Sequence, residues 1–431
     1  MEILYVLNLT AAFTLLFWPI WFSRVVLRLP WLNPFTIATV IASPLPIMKL
    51  VGGPLVLIDD GLFDTGYQMA VLMSNLFTMA QAAGCVVFFF ACASLRIDRA
   101  LPLQRVVLGP ISLRRGMLFF LALYALAFVF LASAEFGIVN WLLNPREGYQ
   151  LYRTGQGQWY ALATSAMSVA FVLAVLWRPR PRWVLLSTAV CLALGYLLGS
   201  KGTLLLIFMS SAIFLWFLRW RHLTSLIVLG APLLMILLLF NLYLALADGF
   251  GIQAILEYFD YYKNAADYYS AYLRGEVPLF LGEVSLSSLW AYVPRGLWPD
   301  KPFVYGILLV NEIFYPGAAE MTNTPAFGGA VEQFADFGVF GVLLFGFLSS
   351  QAIAMALISY VIFRRPGIQF DRITLPIAVL LIVQYSPAFG AFFPGGLYLM
   401  LLLLVVASII VLRAPRRRQR PHTANGPVAQ V

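Results

Sequence analysis

Apolar residues run along this chain in long blocks separated by short polar and basic segments. A block of about 20 apolar residues crosses the hydrocarbon core of a bilayer as a helix, because backbone groups in lipid must bond within their own segment. Eleven such blocks lie near residues 3–22, 35–57, 67–95, 117–135, 159–177, 183–199, 203–218, 223–247, 337–362, 373–389 and 394–412. Pro44, Pro46, Lys49 and the Gly52–Gly53 pair interrupt the second block, the mark of a kink or a re-entrant piece. The blocks meeting at Gly199 and at Arg219 form tight hairpins.

Two segments break this rhythm. The larger runs for about 90 residues from Asp248 to Asp336 and holds nine tyrosines; the smaller runs from about Glu135 to Gln158. The larger opens on a helical pattern. Ile255, Phe259, Tyr262, Ala266, Tyr269 and Leu273 recur at spacings of four and three, with Glu257, Asp260, Asn264, Asp267 and Arg274 on the opposite stripe. Such a helix lies on the membrane surface or packs against other loop pieces as ordinary core. Downstream, Pro294, Pro299 and Pro302 forbid a continuous helix, and Trp290 and Trp298 suit an interfacial position. Gly328 and Gly329 allow the chain to turn sharply into the ninth block.

Composition agrees: 61% of the 431 residues are hydrophobic and 11% are charged, against about a quarter charged in soluble domains. The reading is an all-α polytopic membrane protein, with residues 1–412 as one transmembrane domain and residues 413–431 as a basic, disordered tail held near anionic lipid. Charge then orients it. Twenty of the 28 basic residues fall in alternate connections and the tail, where only two of the 19 acids, Asp98 and Asp371, join them. By the positive-inside rule the amino terminus is outside and the carboxy terminus inside. The formal charge of +9 is therefore a topology signal and excludes a nucleic-acid surface as its explanation. Glu2, with no basic segment before it and no small-residue cleavage site after it, marks the first block as a retained span. Cys85, Cys92 and Cys191 fall inside spans as small apolar fillers, and His222 and His422 fall on the inner side. No metal site and no cofactor are expected.

Candidate chemistry is confined to the outer segments. Arg146, Arg153, Lys201, Lys263, Arg274, Arg295 and Lys301 lie there against the charge rule, with Lys49 an ambiguous eighth. A cationic cluster at a membrane mouth suits a pyrophosphate, since arginine offers a planar fork and lysine a point charge. Each has a plainer alternative. Lys263 and Arg274 sit on the polar stripe, where solvation or local pairing accounts for them. Arg295 and Lys301 flank Asp300 and serve equally as loop ion pairs or headgroup anchors. Lys201 stands at a two-span hairpin, where a charge close to mid-bilayer depth costs about 2.5–3.5 kcal/mol unless it snorkels. Glu332, between Gly329 and a span, and Glu283, after Gly282, are candidate general bases or partners of a nearby arginine. Tyr292, Tyr305 and Trp298 can stack on sugar faces or anchor the interface.

LGSKG at a span end, then VPRGLWPDKP, then TPAFGGAVEQFADFGVFGVLLFGFL, together resemble the Wzy-type O-antigen and repeat-unit polymerases, with motifs confined to roughly residues 196–206 and 280–347. The resemblance implies a glycosyltransferase of GT-C-type architecture with a large periplasmic loop, in a bacterial inner membrane, its active site facing the periplasm. It implies transfer of a growing glycan from undecaprenyl diphosphate to a hydroxyl of the next lipid-linked unit, without a nucleotide sugar. On this sequence Lys201, Arg295, Lys301 and Arg153 would bind the pyrophosphate, and Arg295, Glu332 and Glu283 would take part in catalysis. The family often has arginine where Lys201 stands. Partners implied are lipid-linked glycans, the bilayer, a chain-length regulator and a flippase. Rival readings are an O-antigen ligase, whose family relies on an outer histidine that this chain lacks, a lipid-linked glycan flippase or transporter, and an assembly scaffold.

Overall fold

The structure, a computed structural model, describes residues 2–43, 46–47, 50, 63–95, 110–133, 137–151, 157–230, 232–233, 236, 261–293, 297–320, 325–349, 351–353, 355–356 and 359–360. All regular structure among them is helical. The helices are α1 Glu2–Leu16, α2 Trp18–Val25, α3 Pro34–Ala42, α4 Gln68–Ser94, α5 Pro110–Ser133, α6 Ile138–Leu143, α7 Pro145–Leu151, α8 Gly157–Trp177, α9 Pro181–Leu197, α10 Lys201–Phe217, α11 Tyr261–Leu273, α12 Glu283–Ser288, α13 Leu308–Phe314 and α14 Val331–Phe347. A π-helical turn, Phe63–Tyr67, leads into α4.

Among the described residues four helices are long and apolar enough to span a bilayer: Thr65–Ser94, Pro110–Ser133, Trp159–Trp177 and Val331–Ile353. The pair Tyr5–Leu16 and Trp18–Val25, bent by 52°, is a broken span or a re-entrant loop. The bend falls where Pro19, in the first turn of α2, removes an N–H and crowds the preceding turn. Helices α9 and α10 are apolar but shorter, at 17 residues each, or about 25 Å. The expected blocks at 373–389 and 394–412, most of that at 223–247 and nearly half of that at 35–57 lie outside the described residues. Among the described residues the protein is thus all-helical with four candidate spans, or five with the bent pair, consistent with a multi-pass membrane protein, and these fall on five of the eleven expected blocks.

Among the described residues the buried side chains form three clusters, and the two larger ones position the site. In the first, α8 is nearly enclosed by α5, α9 and α10: Ala163, Ala166, Met167, Val169 and Val175 are all fully buried. A helix apolar on every side belongs in such a central place. Polar contacts satisfy the remaining groups. The Tyr124 hydroxyl donates to the Leu194 carbonyl at 2.8 Å, and the Trp216 indole N–H donates to the Leu32 carbonyl at 2.7 Å, fastening α10 to the segment before α3.

The second group joins α1, α4, α11 and α14. A Cβ added at Gly84 would stand 2.1 Å from the Phe347 carbonyl oxygen, and one at Gly346 would stand 2.6 Å from that of Phe77. The backbones of α4 and α14 approach this closely because both positions are glycine. Amides are paired on both sides of α4: toward α1, Asn75 donates to Asn8 at 2.7 Å and Asn8 to the Gln68 carbonyl at 2.9 Å, and beyond the end of α14, Gln81 donates to Gln351 at 2.6 Å. Unpaired in hydrocarbon, each would cost several kcal/mol, of the order of 4–8.

Helix α11 resolves the choice posed by its sequence. Tyr268, Tyr269, Ala265 and Ala266 are fully buried, and Asn264, expected on the polar stripe, is 3% exposed. Leu273, expected on the apolar stripe, is instead exposed. The helix is core: it rests on the π-helical turn, where Gly66 meets the Ala266 carbonyl, and against Phe334 of α14. Ile255, Phe259, Glu257 and Asp260 lie outside the described residues.

Candidate functional site

The two segments that carry the motifs, 280–306 and 325–347, are built into one another. Inside α14 the helical geometry breaks at Phe337 (φ −131°, ψ 17°) and Gly338 (φ 61°, ψ −144°). The Gly338 conformation is open essentially to glycine alone. At this break the carbonyls of Ala335 and Asp336 accept from Phe280 N and Leu281 N, at 2.8 and 3.0 Å. The loop therefore docks on the backbone groups that the interrupted helix presents.

Asp336 completes the joint. It is fully buried, and its carboxylate accepts from Gly282 N at 3.0 Å, Val284 N at 2.9 Å, Ser285 N at 2.7 Å and the Ser285 hydroxyl at 2.5 Å. These are the first donors of α12, whose own N-cap, Gly282, has no side chain to serve them. A carboxylate at a helix N-terminus is also favoured by the dipole. The sequence reading ended the loop at Asp336 without a role for it. Its one local signal was a helix start, Gly282–Glu283, that lacks a capping side chain.

The far end of the same segment is closed by Lys301, which is 7% exposed. Its ammonium donates to the carbonyls of Trp290 at 2.9 Å and Val293 at 3.1 Å and lies 4.8 Å from the Tyr305 ring centroid. Trp290 meets Trp298 edge to face at 5.6 Å and Tyr305 at 6.5 Å. Ser287 accepts from Gly306 N at 2.8 Å, binding the return strand to α12. The proline-braced stretch containing Arg295 is thus bounded by a lysine-stapled ring of aromatics. Arg295 itself lies outside the described residues, as does Arg153.

The candidate acids converge here. Glu332 and Asp336 are one turn apart on α14 and so share a face, and Glu283 is the first residue of the helix that Asp336 caps. Both glutamates are exposed. Among the described residues, no group of three His, Cys, Asp or Glu side chains is placed to hold a metal ion.

The cations are distributed more widely. Lys201 is the first residue of α10, where Ser200 caps the helix by accepting from Thr203 N at 3.4 Å. That hairpin abuts the segment that carries α7: a Cβ on Gly199 (φ +67°) would lie 2.2 Å from the Pro145 carbonyl oxygen and 2.7 Å from Tyr149 Cβ. Arg146 of α7 stacks over Tyr149 at 5.1 Å, and the Trp141 indole donates to the Leu197 carbonyl at 2.7 Å. Arg274 forms a two-bond pair with Glu276, at 2.7 and 2.8 Å, both side chains being exposed. That contact holds the Glu276 carboxyl below its ordinary pKa and is the local pairing its position on the polar stripe allows. Tyr292 ends the 3-10 turn Leu289–Tyr292.

No protein-family model and no solved structure matches the chain. Two curated relatives do: the O-antigen polymerase of Salmonella typhimurium strain LT2 and that of Salmonella typhi, each 28% identical over 221 residues, 50% of this chain and 53% of the relative. The chain thus spans about half the length of the curated relatives it matches. The resemblance carried by LGSKG, VPRGLWPDKP and TPAFGG is borne out, and over half its length this chain is similar to O-antigen polymerases.

Proposed function

We propose that the protein polymerises lipid-linked oligosaccharide repeat units of a surface glycan. The observation that supports this most directly is the similarity to O-antigen polymerases; the joint between α12 and α14 supports it further, since it holds the motif-bearing outer segments as one rigid body. In this reading the chain has eleven spans in a GT-C-type arrangement, its amino terminus outside, in a bacterial inner membrane, and the site opens to the periplasm.

The reaction breaks the bond between the anomeric carbon of the growing glycan and its undecaprenyl diphosphate. An acceptor hydroxyl oxygen forms the new glycosidic bond, and its proton passes to a carboxylate, Glu332 or Glu283. Negative charge develops on the departing pyrophosphate, and fixed cations stabilise that state more than the ground state. Arg295, Lys201 and Arg153 take that part. Lys301, with two of its three donors on loop carbonyls, acts chiefly by shaping the segment that carries Arg295. Trp298 and Tyr305, each against Trp290, make an aromatic cluster suited to sugar faces, with Tyr292 two residues beyond Trp290 in sequence. A chain-length regulator and a flippase are the partners expected of such an enzyme.

Deleting the gene tests this. A polymerase null collapses the ladder of lipid-linked glycan to a single repeat unit. An intact lipid-linked polymer that never reaches lipid A identifies a ligase, and loss of single units from the outer face identifies a flippase.

A further inference from the structure

Away from this site, on the side opposite the motif-bearing loops in the proposed orientation, α5, α8 and α9 meet at a second set of cations. Arg114 lies in the first turns of α5, and Arg178 follows the last residue of α8, Trp177. The Arg178 guanidinium lies 4.5 Å from the Trp177 ring centroid and 5.1 Å from that of Trp183, and the Arg114 guanidinium lies 5.8 Å from Trp177. The indoles meet edge to face at 5.3 Å, and Trp183 donates to the Ala174 carbonyl at 3.0 Å. Pro179 and Pro181 stiffen the turn between them, and Val184 N and Trp183 N donate to the Arg180 carbonyl at 3.0 and 2.9 Å. The cluster is therefore a fixed construction.

Two guanidinium groups stand within 6 Å of one indole, with no acid paired to them among the described residues. The segments PISLRRG and WRPRPRW hold no acid, and among the described residues neither arginine has an ion pair. The positive-inside rule explains why arginines lie at this end of the bundle; it does not explain why two converge on one ring. Both are exposed. The surface leading away from them is apolar and open, with Ile111, Leu118 and Phe119 on α5 at 67%, 50% and 59% exposure and Leu186 on α9 at 52%. An anionic head beside Trp177 with hydrocarbon continuing along these helices has the chemistry of a phospholipid.

We propose that Arg114 and Arg178, stacked on Trp177, form a binding site for the phosphate of an anionic phospholipid headgroup. Its acyl chains lie along the exposed apolar surface of α5 and α9. The planar forks suit phosphate oxygens. The site stands apart from the polymerase reading, and its test does not measure polymerisation.

The full chain, delipidated in detergent, is titrated with cardiolipin, phosphatidylglycerol and phosphatidylcholine, and bound lipid is counted by native mass spectrometry. The wild type retains the two anionic lipids and releases phosphatidylcholine. Arg114→Gln with Arg178→Gln weakens the anionic lipids roughly thirtyfold, from the usual contribution of two basic groups at an anionic surface. Arg219→Gln with Arg221→Gln, which removes equal charge from the exposed turn after α10, leaves them unchanged. Equal retention by the first pair, or equal loss from both pairs, overturns the proposal. Displacement by millimolar inorganic phosphate also overturns it, marking a free-anion site. Where the double variant fails to insert, Arg178→Gln alone is read against the same outcomes.

Discussion

The Asp336 carboxylate accepts from both the backbone N–H and the hydroxyl of Ser285, at 2.7 and 2.5 Å, across 51 residues of sequence. Two further N–H groups, of Gly282 and Val284, share the same carboxylate. A buried carboxylate with four donors holds the start of α12 to α14.

Replacing Asp336 with Ala strands those donors and should destabilise the loop by about 2–3 kcal/mol, the cost of orphaning buried partners of a charged group. Asp336→Asn keeps the shape and loses the charge, and Ser285→Ala removes one donor, so both should cost less. Protease protection of residues 261–330 and activity should fall together across the series. Full protection with no activity in Asp336→Asn would instead give Asp336 a chemical role.

Gly199→Ala should destabilise the Lys201 hairpin more than Gly275→Ala destabilises its own turn. Both positions have positive φ, at +67° and +76°, which costs a side chain roughly 1–2 kcal/mol. Only at Gly199 does a Cβ also meet backbone, while at Gly275 nothing lies within 4 Å. Thermal unfolding in detergent separates the two, and equal shifts would mean that the hairpin yields at Pro145.

Lys301→Met should loosen the aromatic ring without filling the needs of the Trp290 and Val293 carbonyls, a loss of about 1–3 kcal/mol for the groups left unpaired. Hydrogen exchange should quicken across residues 286–306. Unchanged exchange with lost activity would place Lys301 on the pyrophosphate after all.

Arg295→Ala should lower the polymerisation rate roughly a hundredfold to a thousandfold, the scale of one preorganised donor in a transition state. Lys in its place should restore part, keeping the charge and losing the fork. Protein level and insertion are matched first. Near-normal chains from inserted Arg295→Ala would move the assignment to Lys201. Of the glutamates, the proton acceptor is the one whose Gln variant is inactive while the other is not.

Polymerisation should persist in EDTA, because the proposed charge stabilisation comes from arginine and lysine. Activity lost to the chelator and regained with magnesium or manganese would replace that account with a metal-based one.

What the sequence determined by itself was set by local pattern. Blocks near 67–95, 117–135 and 159–177 became helices Gln68–Ser94, Pro110–Ser133 and Gly157–Trp177, because lipid leaves the backbone no partner outside its own helix. Resemblance in short motifs led to the polymerases that the chain matches over half its length. Tertiary structure alone decided the rest. The pattern of α11 allowed a surface helix or a core one, and packing against Gly66 and Phe334 chose the core. Lys301 read as a pyrophosphate ligand, a loop ion pair or a headgroup anchor, and its carbonyl partners, eight and eleven residues back, came only with the fold. Asp336 read as a loop boundary because its donors are more than 50 residues away. Periodicity reports which face of a segment avoids water, whereas a buried charge is explained only by its partners, and these the fold supplies from elsewhere in the chain.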